Sequence, residues 1–108
     1  MKFNVHVSDQ SWSDADRIFE WIAARSRQGA IQWDRAFFDA LDRLQSSADQ
    51  HGAALESTNL GKQVRECFFK TRRGLTYRLI YEIIDRDVYV LRVRGPGQRP
   101  IRSDEINE

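Results

Sequence analysis

The residues best suited to chemistry in this chain are its arginines. Between Gly61 and Ser103, eleven lysines and arginines, among them Arg65, Arg78, Arg92, Arg94, Arg99 and Arg102, stand against four carboxylates, a net charge of +7. Residues 1–60 carry −3 and the last five residues another −3, so the overall charge of +1 conceals a basic block. A guanidinium is planar, permanently charged and offers parallel donors, which suits it to phosphate and carboxylate. Gathered in one stretch, such groups predict a polyanion or an acidic protein as partner, although a solubilising surface has the same composition. The run Arg94-Gly95-Pro96-Gly97-Gln98 sits inside this block. Two glycines around a proline permit close approach of backbone amides to an anion, and equally a plain reversal of the chain.

The remaining reactive side chains are sparse. His6, His51 and Cys67 are too scattered for a zinc spacing, and no phosphate-loop motif occurs, so neither a metal nor a cofactor is expected. Cys67 reads as a half-buried strand residue whose thiol stays protonated near neutral pH. Glu56, Glu66 and Glu82 have the chemistry of a general base, yet carboxylates among arginines more often form ion pairs. Trp12, Trp21 and Trp33 read as packing or partner-contact residues, and Tyr77 and Tyr81 as core.

These groups must be held by regular elements. Lys2–Val7 alternates polar and apolar residues and predicts a half-buried strand. Ser13 with Asp14 and Asp16 predicts a capped helix start, with Ala15, Ile18, Phe19 and Ile22 as its apolar stripe running to about Ser26. Gly29 reads as a stop, and Trp33, Phe37, Ala40, Leu41 and Leu44 as the stripe of a second helix. Ser46–Lys62 reads as loop with a helical turn near Ala53-Ala54-Leu55. Three strands follow at Val64–Thr71, Thr76–Ile84 and Val88–Arg94, joined by hairpins. The fold class predicted is α+β in β-α-α-β-β-β order, an antiparallel sheet with an αα-hairpin packed on one face. Strand parity puts Tyr77, Leu79, Tyr81 and Ile83 with Leu91 and Val93 toward the helices. The same parity puts Arg78, Ile80, Glu82, Arg92 and Arg94 on an open, cationic face, where Arg78→Ala would cost far less stability than Leu79→Ala.

At 108 residues, 41% of them hydrophobic, the chain fits one domain, expected over residues 1–103 with an acidic tail at 104–108. No run approaches the ~20 apolar residues of a membrane span and no leader is evident, so a cytoplasmic protein without membrane partners is expected.

Three segments together resemble one family. Leu60–Glu66, Tyr77-Arg78-Leu79-Ile80-Tyr81-Glu82-Ile83 and Val88-Tyr89-Val90-Leu91-Arg92-Val93-Arg94, with the Gly29–Trp33 helix opening, are similar to the RelE/ParE superfamily of toxins from type II toxin–antitoxin systems, from Met1 to about Ile101. The resemblance implies a plasmid-stabilisation-like toxin that inhibits growth and is neutralised by a cognate antitoxin, whose segment should be rich in Asp or Glu with interspersed aliphatics. Members similar to RelE cut messenger RNA inside the ribosome; members similar to ParE poison DNA gyrase.

The nuclease chemistry would need proton-transfer groups and cations around a phosphorane. Arg78, Arg65 and Arg99 would serve as the catalytic set of a metal-independent endoribonuclease. Nuclease members of the family usually carry a Tyr or a His-Tyr pair after the last strand, whereas residues 95–108 contain neither. Gln98 stands about where some carry a basic residue. The reading favoured is therefore ParE-like inhibition by binding, with Arg92, Arg94, Gln98, Arg99 and Arg102 as the target-binding set. The alternatives are the RelE-like ribosome-dependent nuclease and a detoxified homologue that serves as an antitoxin-binding module.

Overall fold

The computed structural model describes residues 2–106. Its elements are β1 (Asn4–Val7), α1 (Asp9–Ala23), α2 (Arg27–Ser47), a short α3 (Glu56–Leu60), β2 (Arg65–Phe69), β3 (Tyr77–Ile84) and β4 (Asp87–Arg94), with single 3-10 turns at Ala48–Gln50 and Ser103–Glu105. This is the predicted α+β order with one small helix added. The sheet runs β1-β4-β3-β2; β1 lies parallel to β4, and the other pairings are antiparallel.

Both helix starts differ from the sequence expectation. α1 begins five residues before the Asp14–Asp16 pair because Ser8, not Ser13, caps it, its Oγ accepting from the Ser11 amide at 3.0 Å. Gly29 does not stop a helix; it lies in the first turn of α2, where its amide donates to the Oγ of the cap Ser26 at 3.0 Å. The cap consumes a donor that the helix end would otherwise leave unpaired, which outweighs the cost of a glycine there. Between α2 and β2 the expected loop contains the Ala48–Gln50 turn and α3, which Gly61 terminates in the left-handed conformation (φ 67°). The β3–β4 hairpin closes with Asp85 at φ 56°, a conformation Asp tolerates better than most residues.

The helical hairpin packs on one sheet face. Trp33, Phe37, Ala40, Leu41 and Leu44 of α2 bury against Cys67, Phe69, Leu79, Tyr81, Val88, Val90 and Val93. Trp33 stacks on Phe37 at 5.3 Å between ring centres and meets Tyr77 edge-on, the offset geometries that aromatic quadrupoles favour. Tyr81 is fully buried and donates its hydroxyl to the Ala48 carbonyl at 2.6 Å, fixing the end of α2 to the sheet. Cys67 is wholly buried rather than half-buried, and burial pushes its thiol pKa up.

The opposite face is not open. Ile80 and Leu91 are covered by Ala54, Val64 and Ile101, with Leu60, Tyr89 and Ile106 packed around them, so the sheet carries a second, smaller core. Leu91 belongs here and not with Val93, because a β-bulge shifts the register: Ile80 pairs with Arg92 while Tyr81 pairs with Val90. The extra residue reverses the alternation of β4 at that point. Burial of Ile101 and Ile106 folds the segment after β4 back across the sheet. Of the tail, Asp104 and Glu105 lie in the last 3-10 turn, and Asn107 and Glu108 fall outside the described residues.

Candidate functional site

The basic block becomes a set of arginines that differ sharply in their partners. Arg78 on β3 lies in a fork of carboxylates: its two terminal nitrogens donate to Glu56 at 2.7 and 2.5 Å, and one also reaches Glu66 at 3.2 Å. The Glu56 side chain is fully buried and that of Arg78 is 16% exposed. Burial alone would push the Glu56 carboxyl up, but the bonds from Arg78 and from the Ile101 amide at 3.2 Å outweigh it and hold the pKa below the ordinary value. The same pairing raises Arg78 further. Glu56, the first residue of α3, thus links that helix to β3 and to the C-terminal segment.

Arg92 on β4 has a matching arrangement on the other side. Its Nε and a terminal nitrogen donate to Asp14 of α1 at 2.7 and 2.8 Å, and the Asp14 carboxylate also accepts the Val93 amide at 3.0 Å. β1 covers β4 only as far as Val90, so the outer edge of residues 91–94 would otherwise present unpaired backbone groups. Ser8 and Ser11 close it by donating to the carbonyls of Leu91 and Val90, and Asp14 completes the closure.

Arg94 stands apart. It is 6% exposed, yet among the described residues its only hydrogen bond is to the Arg99 carbonyl at 2.6 Å, and its Nε has no partner. Burial and the neighbouring Arg92 charge pull its pKa below the ordinary guanidinium value. Arg99 and Arg102 are the solvent-facing members, 52% and 63% exposed, and both turn toward Glu105. Gln98 is exposed, and its side-chain oxygen accepts from the Gly95 amide and closes the Gly95-Pro96-Gly97 turn. That turn is a chain reversal. A Cβ on Gly95 would sit 2.9 Å from the Tyr77 ring, and Gly97 takes φ 79°, so both glycines are required by local geometry.

Of the proposed catalytic trio, the fold does not bring Arg65 to Arg78. Arg65 pairs in register with Tyr81 and so lies on the helix-bearing side, where it donates to the His51 carbonyl at 2.6 Å. Arg78, Arg92, Arg94 and Arg99 do come together around the C-terminal segment. Sequence reasoning missed Asp14 and Glu105 as their partners. Asp14 was legible only as a first-turn residue of a helix, and Glu105 only as one charge of a tail. On the other side of the turn, a groove of about 340 Å³ runs between α1 and Gly95–Gln98, lined by Ile18, Trp21, Leu75, Tyr77 and Pro96. Trp21 and Leu75 are 56% and 62% exposed, and Arg25 stacks over Trp21 at 3.7 Å.

The family model for the ParE toxin of the type II toxin–antitoxin system, parDE, matches residues 5–100. The chain belongs to this toxin family. The fold agrees: a chain described as the chromosomal ParDE TA system from P. aeruginosa is similar with a TM-score of 0.67 over 87% of this chain and 96% of that one, at 18% identity. No curated protein matches the chain. Within a ParE-family toxin, the buried pairs Arg78–Glu56 and Arg92–Asp14 serve to hold the α-hairpin, α3 and the C-terminal segment on the sheet. Among the described residues no helix is long and apolar enough to cross a membrane.

Proposed function

We propose that this ParE-family toxin acts in the cytoplasm by binding a target such as DNA gyrase, and that a co-encoded antitoxin silences it. The observation that carries this reading is the occupation of the strand arginines. A ribonuclease would need Arg78 and its neighbours free to receive a scissile phosphate. Here Arg78 is committed to Glu56 and Glu66, and Arg92 to Asp14. Residues 95–108 contain no Tyr or His to transfer a proton. Of the arginines in β3, β4 and the segment beyond the glycine turn, the solvent-exposed ones are Arg99 and Arg102, whose carboxylate partners lie on the same exposed segment, which supports recognition rather than catalysis. The apolar groove beside Trp21, lined also by Arg17 and with Arg25 stacked over the Trp21 ring, suits an antitoxin segment that mixes aliphatic and acidic residues.

Replacing Arg99 and Arg102 together by alanine should relieve growth inhibition while circular dichroism remains that of the folded chain. Wild-type induction should yield DNA breaks and a DNA-damage response, without discrete message cuts by primer extension. Ribosome-dependent cuts, lost in Arg78→Ala and retained in the Arg99/Arg102 variant, would reject the binding mechanism in favour of the nuclease.

A further inference from the structure

Glu105 occupies a position that its place in an acidic tail does not explain. One oxygen of its carboxylate accepts from the Arg99 guanidinium at 2.5 Å and from the Arg102 amide at 2.9 Å, and stands 3.6 Å from the Arg102 guanidinium. The other oxygen lies 3.9 Å from Arg92, which also donates to the Glu105 carbonyl at 3.0 Å. Beneath them Arg94 holds the Arg99 carbonyl and, among the described residues, has no ion pair of its own. Buried cations are ordinarily matched by a carboxylate, as Arg78 and Arg92 are, because desolvating a lone charge is costly. A buried arginine with no carboxylate in hydrogen-bond contact among the described residues, at the floor of a cluster that already grips Glu105, marks a site with donor capacity that Glu105 does not use. The Arg99 contact holds the Glu105 pKa down at about 2, so the internal ligand is ionised throughout the physiological range.

We propose that Arg92, Arg94, Arg99 and Arg102 form a carboxylate-binding site that Glu105 fills in cis, and that acidic side chains of the antitoxin enter it by displacing the Ser103–Glu105 turn. The antitoxin as ligand rests on the function proposed above; the site and its internal plug do not. The plug is a single 3-10 turn at the end of the described segment, with Asp104 exposed, whereas Ile101 is fully buried. Displacement can therefore stop at residue 102, lifting the partly buried Ile106 from the rim of the second core while Ile101 stays in place. A carboxylate is the ligand chemistry because a carboxylate already fits there, its two oxygens shared between arginines on opposite sides.

Isothermal titration of the purified full chain with a hexaglutamate peptide tests the site. Glu105→Gln should bind the peptide about tenfold more tightly than the wild type, the scale of one charge-assisted contact no longer competed for. Asp104→Asn removes the same charge one residue away and should change affinity less than about twofold. In the Glu105→Gln background, Arg94→Met should abolish the gain while the chain stays folded, since an unpaired buried cation is replaced by an apolar chain of similar length. Equal gains from Asp104→Asn and Glu105→Gln would reduce the effect to net charge and overturn the proposal, as would no gain in Glu105→Gln. A gain that survives Arg94→Met would overturn the part assigned to Arg94, and a gain for inorganic pyrophosphate but not for hexaglutamate would overturn the carboxylate assignment. Growth inhibition is measured separately in cells. A non-toxic chain that shows the peptide gain would sink the functional reading and leave the site, and a toxic chain without it would do the reverse.

Discussion

At the scale of single residues, the arginines show how little a charged side chain's type says about its role. Arg78 and Arg99 share chemistry and differ in what surrounds them: one is clamped by a buried carboxylate, the other faces solvent. Removing the Arg78 side chain strands the Glu56 carboxylate without its main partner in a buried site. That reverses the sequence expectation for Arg78→Ala, which should now destabilise by about 3–5 kcal/mol, comparable with the ~2–5 kcal/mol of Leu79→Ala. Urea unfolding followed by circular dichroism would measure both. An Arg78→Ala midpoint close to wild type would mean that the Glu56 fork contributes nothing to folding.

Among elements, the informative one is β4. It is paired on one side along its full length and on the other only as far as Val90, and the start of α1 supplies what β1 does not. Ser8 therefore has two tasks, capping α1 and bonding the Leu91 carbonyl. Asp14 likewise satisfies both Arg92 and the Val93 amide. Asp14→Ala should cost about 3–5 kcal/mol by leaving the buried Arg92 without its main carboxylate partner. Its local signature should be faster hydrogen exchange at Val93, with Leu79 and Tyr81 slowed or hastened only as global stability dictates. Unchanged protection at Val93 in that variant would show that the edge is closed by something other than this carboxylate.

For the molecule as a whole, carboxylates join the layers, and this sets the response to acid. Glu56 links α3, β3 and the C-terminal segment, and its pKa is held below the ordinary 4.5; Glu105 is held at about 2. A carboxylate whose folded pKa is depressed stabilises the fold above its unfolded value and loses that contribution as pH falls toward its folded value. Stability should thus be level from pH 7 to about 5 and decline below about 4.5, continuing toward about 2. Glu56→Gln should start lower and decline less steeply. Urea midpoints across that range would decide it, and parallel curves for the two proteins would remove Glu56 as a source of the acid sensitivity.

Much of this was fixed by the sequence alone. The apolar stripe of α2, the alternation of β3 and the hairpin between β3 and β4 are local patterns, since side-chain period and turn chemistry are set by neighbours in the chain. From them followed the α+β order, the face that packs on the helices and the family resemblance carried by Tyr77–Ile83. What surrounds each charge was not legible. Asp14 and Arg92 lie 78 residues apart, Glu56 and Arg78 22 apart, and nothing in either neighbourhood announces the other. Nor did alternation foresee the bulge at Leu91, because an extra residue in one strand is visible only against the register of its partner. The fate of the cationic face was decided in the same way. Whether an arginine is free to meet a ligand depends on the carboxylates that the fold carries to it, and only the tertiary structure brings Asp14 of α1, Glu56 of α3 and Glu105 of the C-terminal turn to the strand and tail arginines.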